Sequence, residues 1–238
     1  GTDHYDFMTT FEGLSGALEN ADLSIVTLET LAAGREKGYG NYNTTPQILD
    51  ALRAVGVNFV SLATERALDK GYDGLDITAS ELPSRSIGFA GVYPDGTNTG
   101  AAMANIDGVQ VAVLAYTYGL SDEGRERTRD DSRGVVVMMD SQRVVRDITQ
   151  ARVDGANIVV VLPHWGTKNR AQTPDTVQTM AREMAQAGAD VILGTHPNVA
   201  QGIERLQTVR SDGLTYETVV CYSLGCLLTD ARDSENTA

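Results

Sequence analysis

The stretch from Gly155 to Gly166, GANIVVVLPHWG, constrains this chain more than any other. Its apolar run is too short for a buried helix and follows a turn residue, so it reads as a strand buried on both faces of a parallel sheet. His164 stands where that run stops. The same grammar recurs in Gly188 to Asn198, GADVILGTHPN, with His196 just past an aliphatic strand. Two of the three histidines therefore occupy equivalent strand ends, while His4 reads as an exposed terminal residue. Two earlier segments follow suit: NADLSIVTLE ends on Glu29, and GVNFVSLATE ends on Glu65.

Ligands of open α/β sheets bind outside the carboxyl ends of parallel strands. Four such strands predict two carboxylates and two imidazoles at one rim. A mixed histidine and carboxylate set suits zinc, manganese or iron better than calcium. Taken singly, each of these residues is equally a polar loop residue where a buried strand surfaces; the two histidines taken together point to function.

Charge narrows the partners. With 19 Lys and Arg against 32 Asp and Glu, the formal net charge is -13, which argues against a nucleic-acid or anionic-membrane surface. A small anionic ligand stays compatible, because a metal can hold it locally. No apolar run approaches the roughly 18 residues of a membrane helix, and Gly1-Thr2 reads as a trimmed or mature terminus. Cys221 and Cys226 form no zinc-type pair; two free thiols or a short-range disulfide both fit.

In order along the chain, Phe7 to Asn20 reads as one amphipathic helix feeding a strand over Leu23 to Leu28. The segment AAGREKGYGNYNTTP reads as a loop over the site rather than core. Thr45-Pro46 opens a helix with Ile48, Leu49, Leu52 and Val55 on its buried face, and Asn58 to Leu62 is the next strand. Glu65 and Asp69 would share a face if their segment is helical; Asp69 equally caps or pairs with Arg66. Helix at Ile77 to Leu82 and a strand at Ile87 to Val92 follow. Asp107-Gly108 between alternating apolar runs predicts a hairpin. Ser121 to Arg133 reads as a solvated mixed-charge excursion, with Arg125, Arg127 and Arg129 as candidate anion contacts. A strand over Gly134 to Met138, helices from Asp140 and from Pro174, a closing hairpin turned through Ser211-Asp212-Gly213, and a polar frayed tail complete the chain. No linker or repeat interrupts it, so a single domain, a layered α/β sandwich, is expected.

The ordered motifs TLE, SLATERALDKG, PHWG, GADVILGTHPNVAQ and YSLG resemble the CapA-type poly-γ-glutamate capsule-synthesis family, whose fold is that of the calcineurin-like metallophosphoesterases. The resemblance spans about Ala21 to Gly225. It implies a four-layer α-β-β-α sandwich, metallophosphatase-like, and a place on the extracellular side of a bacterial membrane behind an N-terminal anchor that this chain lacks. It also implies that the family's opening Gly-Asp strand lies upstream of this chain.

The resemblance assigns roles. Glu29, Glu65, His164 and His196 are the expected metal ligands, for one divalent ion (manganese, zinc or iron). His164, His196 and Asp69 are the expected catalytic groups; Arg66, Lys168 and Asn198 are the expected substrate contacts. The family pattern is altered here at several points. Thr64-Glu65-Arg66 replaces Asn-Asn-His, so an amide ligand and an imidazole are lost. Lys168 stands for a glutamate, Asn198 for a histidine, and Cys226 for an asparagine. Arginine stays protonated, so Arg66 cannot replace histidine as a general acid. The expected function is capsule biosynthesis on a metallophosphatase scaffold with an eroded metal site, handling an anionic polymer or its precursor. The alternatives are an active metal-dependent hydrolase of a phosphoester or amide bond, and a non-catalytic partner of a membrane polymer synthase. No nucleic-acid partner is expected.

Overall fold

The computed structural model describes residues 5–18, 20–34, 42–96, 100–128, 136–210 and 212–228. His4, Arg129, Gly134, Ser211 and the tail 229–238 lie outside them. The chain divides into two compact units, Gly1–Asn98 with Gly119–Val136, and Thr99–Tyr118 with Val137–Ala238.

The first unit holds a three-stranded, all-parallel sheet in the order β1 (Ile25–Thr27), β2 (Phe59–Ser61), β3 (Gly88–Ala90). Its segments are short, and their crossovers are helical, as parallel pairing requires. Helix α3 (Gln47–Ala54) follows Pro46 and buries Leu49 and Leu52, as its apolar stripe predicts. Helix α4 (Gly71–Glu81) buries Tyr72, Leu75 and Ala79. Their apolar faces join Val60, Leu62, Leu82 and Ile87 in one core.

Two local expectations fail here for identifiable reasons, and a third gains detail. The amphipathic stretch at Phe7 to Asn20 is broken: α1 (Met8–Phe11) and α2 (Ser15–Leu18) are separated by a tight turn at Glu12–Leu14. Gly13 and Gly16 weaken a helix that buries only Phe11. The loop after Glu29 is anchored in the core rather than lying wholly over it. Ala32 is fully buried, its N–H donates to Thr78 Oγ1 at 2.9 Å, and Ala33 N donates to buried Asn43 Oδ1 at 2.9 Å. The charged excursion contains a helix, α5 (Asp122–Arg127), whose N-cap Ser121 accepts from Gly124 N.

The second unit is built on a six-stranded mixed sheet. Its order is β4 (Ala102–Ile106), β5 (Val109–Thr117), β6 (Ile158–His164), β7 (Val191–Leu193), β9 (Thr215–Cys221), β8 (Ile203–Val209). Strands β5, β6, β7 and β9 run parallel, and an antiparallel strand closes each edge. The first hairpin turns through Asp107 and Gly108, both at positive φ, the two-residue turn that Asp-Gly predicts. Helices α6 (Ser141–Val153) and α7 (Asp175–Ala187) pack together. They bury Val144, Ile148, Val177, Ala181 and Met184. The strand expected at Gly134 to Met138 reduces, among its described residues, to isolated bridges: Val136 to Val92, and Met138 to Thr117.

Candidate functional site

The four strand ends singled out by the sequence belong to two sheets. β1 and β2, which lead to Glu29 and Glu65, pair in the first unit; β6 and the segment after β7, which carry His164 and His196, belong to the second. Local pattern identifies strands, but pairing is non-local, and the expectation of four like strands resolves into two strands in each sheet.

In the second unit the histidines do meet. The His164 and His196 ring centroids are 4.8 Å apart in an edge-on arrangement, and the residues are only 1% and 4% exposed. β6 delivers His164 at its last position. His164 bridges Thr195, whose Oγ1 lies 3.0 Å from His164 Nδ1. That contact orients the ring and directs Nε2 toward any ligand.

His196 sits at φ 97°, in the left-handed region that a side chain other than Gly or Asn rarely adopts. Such a conformation persists only where its surroundings hold it. Here the holding is done by paired loops: Trp165 N donates to Thr195 O at 3.0 Å and Asn169 N to Pro197 O at 2.8 Å. Gln201 Nε2 adds a bond to Arg170 O at 2.7 Å. Beneath them, Gly194 leaves room for Tyr222 O and the Trp165 indole, which are themselves joined at 2.9 Å. Lys168 and Asn198 lie half-buried in these same two loops, Asn198 at φ 63°.

Sequence reasoning missed Tyr118. It follows β5, its N–H donates to His164 O at 3.0 Å, and its ring centroid lies 4.6 Å from that of His196 and 6.4 Å from that of His164. The available signal was an aromatic residue one step past a long apolar strand in register with His164.

In the first unit Glu65, Arg66 and Asp69 form a cluster. Their segment is not a regular helix but a series of tight turns, with Asp69 N donating to Arg66 O at 3.0 Å and Gly71 N to Leu68 O at 2.9 Å. Arg66 Nη1 lies 3.2 Å from Asp69 Oδ2, and its Nε lies 3.4 Å from Glu65 Oε1. Its guanidinium also sits 3.9 Å from the Tyr42 ring centroid. Burial opposes the charge on Arg66, but Asp69, Tyr42 and Glu65 outweigh it and raise the guanidinium pKa.

Asp69 is fully buried. Burial pushes its carboxyl above the ordinary carboxylate range, and bonds from Ser121 and Arg66 pull it part of the way back. Ser121 is the second residue missed. Its hydroxyl donates to Asp69 while accepting from Gly124 N at 2.9 Å, and its own N–H donates to Glu65 O at 2.8 Å. Ser followed by Asp-Glu is an N-cap signal that could have revealed it. Glu29 lies half-buried, two residues past β1.

Among the described residues, no three His, Cys, Asp or Glu side chains are grouped as a metal centre. The imidazole pair fits two positions of a shell for a borderline divalent ion, with its nearer ring already oriented by Thr195. Cys221 and Cys226 are free thiols, as one of the two sequence readings had it. No helix among the described residues is long and apolar enough to cross a membrane.

The chain is a mixed α/β protein, its sheets flanked by helices, with the fold of the metallophosphoesterases. The sulfate thiohydrolase SoxB of Termus thermophilus superimposes on 92% of this chain and 37% of its own, with a TM-score of 0.50 at 14% identity; that likeness is one of fold. The model of the family described as bacterial capsule synthesis protein PGA_cap matches residues 1–231, and the chain belongs to that family. It is 28% identical over 189 residues to the PGA biosynthesis protein CapA of Bacillus subtilis, covering 79% of this chain and 46% of that protein. It is 26% identical over 190 residues to the capsule biosynthesis protein CapA of Bacillus anthracis, covering 77% and 43%. The chain thus spans about half the length of the curated relatives it matches.

Proposed function

We propose that this chain serves synthesis of a capsule polymer of the poly-γ-glutamate type on the extracellular side of the membrane, by binding the anionic polymer or its precursor without turning it over. The observation that carries the reading is the buried imidazole pair at the ends of β6 and β7, in a chain of the PGA_cap family. A chain with net charge -13 repels an anion at long range. Holding one requires local attraction, which a divalent ion held by these residues would supply.

His164 and His196 in the second unit, and Glu29 and Glu65 in the first, are the residues we propose for divalent metal. When bound, the ion would supply Lewis-acid attraction for phosphate or carboxylate oxygens. Thr195 holds the His164 ring in its ligating orientation. Lys168 offers an ammonium and Asn198 an amide from the two loops that flank the imidazoles. Arg66, charged at every accessible pH, binds and does not donate a proton; Asp69 fixes its guanidinium.

The test measures hydrolysis of bis-p-nitrophenyl phosphate with added manganese, alongside equilibrium binding of manganese and of poly-γ-glutamate. Binding of both, reduced in His164→Ala, with no turnover above the metal-only background, is the expected result. Phosphodiesterase activity that disappears in His164→Ala would overturn the non-catalytic reading in favour of a working metal-dependent hydrolase. Capsule production that survives alanine at His196 would overturn the binding role and leave a structural partner of a membrane synthase.

A further inference from the structure

Tyr118 is 46% exposed, yet it is attached to a buried pair of imidazoles. Its backbone N–H donates to the carbonyl of His164, and Thr117, directly before it, pairs with His164 across β5 and β6. Thr117 is itself pinned from the other side, accepting from Met139 N at 2.8 Å and donating its N–H to Val137 O at 3.0 Å. These bonds fix the backbone from which the ring projects, and the ring packs on the imidazoles. It is tilted 50° against His196 and 22° against His164, so it lies beside both imidazoles while nearly half of the residue remains open to solvent. An exposed aromatic held this firmly has already met the ordering cost that a mobile side chain meets on binding.

We propose that Tyr118 is the specificity-determining residue of the histidine site, and that the ligand it selects is a phosphate ester whose organic part presents a flat, apolar-faced ring. The inference rests on the reading of the histidine edge as an anion site: the imidazoles face the phosphate, and Tyr118 stacks on the ring attached to it. Aromatic pairs add about 0.5–1.5 kcal/mol beyond area burial, a preference of roughly two- to ten-fold for a ring-bearing ester over one without a ring.

Calorimetric titration of the intact chain, with manganese present throughout, tests this with phenyl phosphate, methyl phosphate and orthophosphate. The expected result is tighter binding of phenyl than of methyl phosphate by that factor in the unaltered chain and in Tyr118→Phe, with the ratio falling to near one in Tyr118→Ala. Tyr118→Leu keeps bulk without a ring and serves as the second variant should the alanine form fail to fold; its ratio also falls. A ratio that survives both substitutions overturns the role of Tyr118 and leaves the anion site standing. So does a parallel weakening of all three ligands, the signature of a merely structural tyrosine. If no anion titrates in the unaltered chain, both readings fall. A ratio that depends on Tyr118 while every affinity ignores His196→Asn keeps the stacking role and overturns the histidine anion site.

Discussion

The two ends of the six-stranded sheet treat buried polarity in opposite ways. Where β6 and β7 begin, Arg152 spends every donor it has inside the protein. Nε and Nη2 reach Gly188 O, Nη1 reaches Ala156 O and Asn157 O, and Nη2 also pairs with Asp190. Asp190 in turn accepts from Val159 N at 2.8 Å and faces Arg210 at 3.4 Å. A guanidinium offers five N–H groups, and here all are taken by carbonyls ending α6 and α7 and by one carboxylate. Where the same strands finish, two imidazoles crowd together beside an exposed tyrosine, with His196 at positive φ. The first arrangement locks helices to strands; the second is the one proposed above as a binding end.

Breaking the finishing end gives the largest effect. A Cβ at Gly194 would stand 2.1 Å from Tyr222 O and 2.4 Å from the indole nitrogen of Trp165. Both obstacles are buried and hydrogen-bonded, so Gly194→Ala is expected to cost about 3–5 kcal/mol in chemical denaturation. Arg152→Ala attacks the beginning end. It strands four acceptor groups but at a site about a quarter open to water, and a loss of about 2–3 kcal/mol is expected in the same measurement.

His196→Asn sharpens the contrast. Asparagine tolerates positive φ, so stability should move by less than about 1 kcal/mol while manganese affinity falls by at least about ten-fold. If instead Arg152→Ala weakened metal binding and His196→Asn weakened only the fold, the assignment of a structural end and a binding end would be reversed.

The smallest effect lies in the first unit, where Asp69 repeats the closed arrangement. Its folded pKa is raised above the ordinary 3.8. Between the unfolded and folded values the folded state holds the extra proton, so this group's contribution to stability falls as pH rises through that window. Urea midpoints measured from pH 3.5 upward should show this slope in the wild type and a flatter profile in Asp69→Asn. An unchanged profile would mean that Ser121 and Arg66 fully offset the burial.

What could be read from the sequence divides along the same line between local and non-local physics. Runs such as IVVVLPH are strands because of their length and chemistry alone, and Asp107-Gly108 is a turn because both positions take positive φ. The partnering of the two histidines was legible from their equivalent strand ends. Which sheet each strand joins was not, because pairing depends on contacts made far along the chain. Ser121 was hidden because its role comes from Asp69, 52 positions earlier in the chain. Tyr118 was hidden because exposure cannot be read from a residue that closes an otherwise buried strand.

The pairing of the loops after β6 and β7 has a mechanical consequence. Bonds from Trp165 to Thr195, from Asn169 to Pro197 and from Gln201 to Arg170 tie both segments into one body, so neither imidazole can be shifted without carrying the other. The gap between the rings then behaves as a fixed gauge. A ligand is accepted or refused by whether its own atoms span that gap, and the chain has no inexpensive way to widen it.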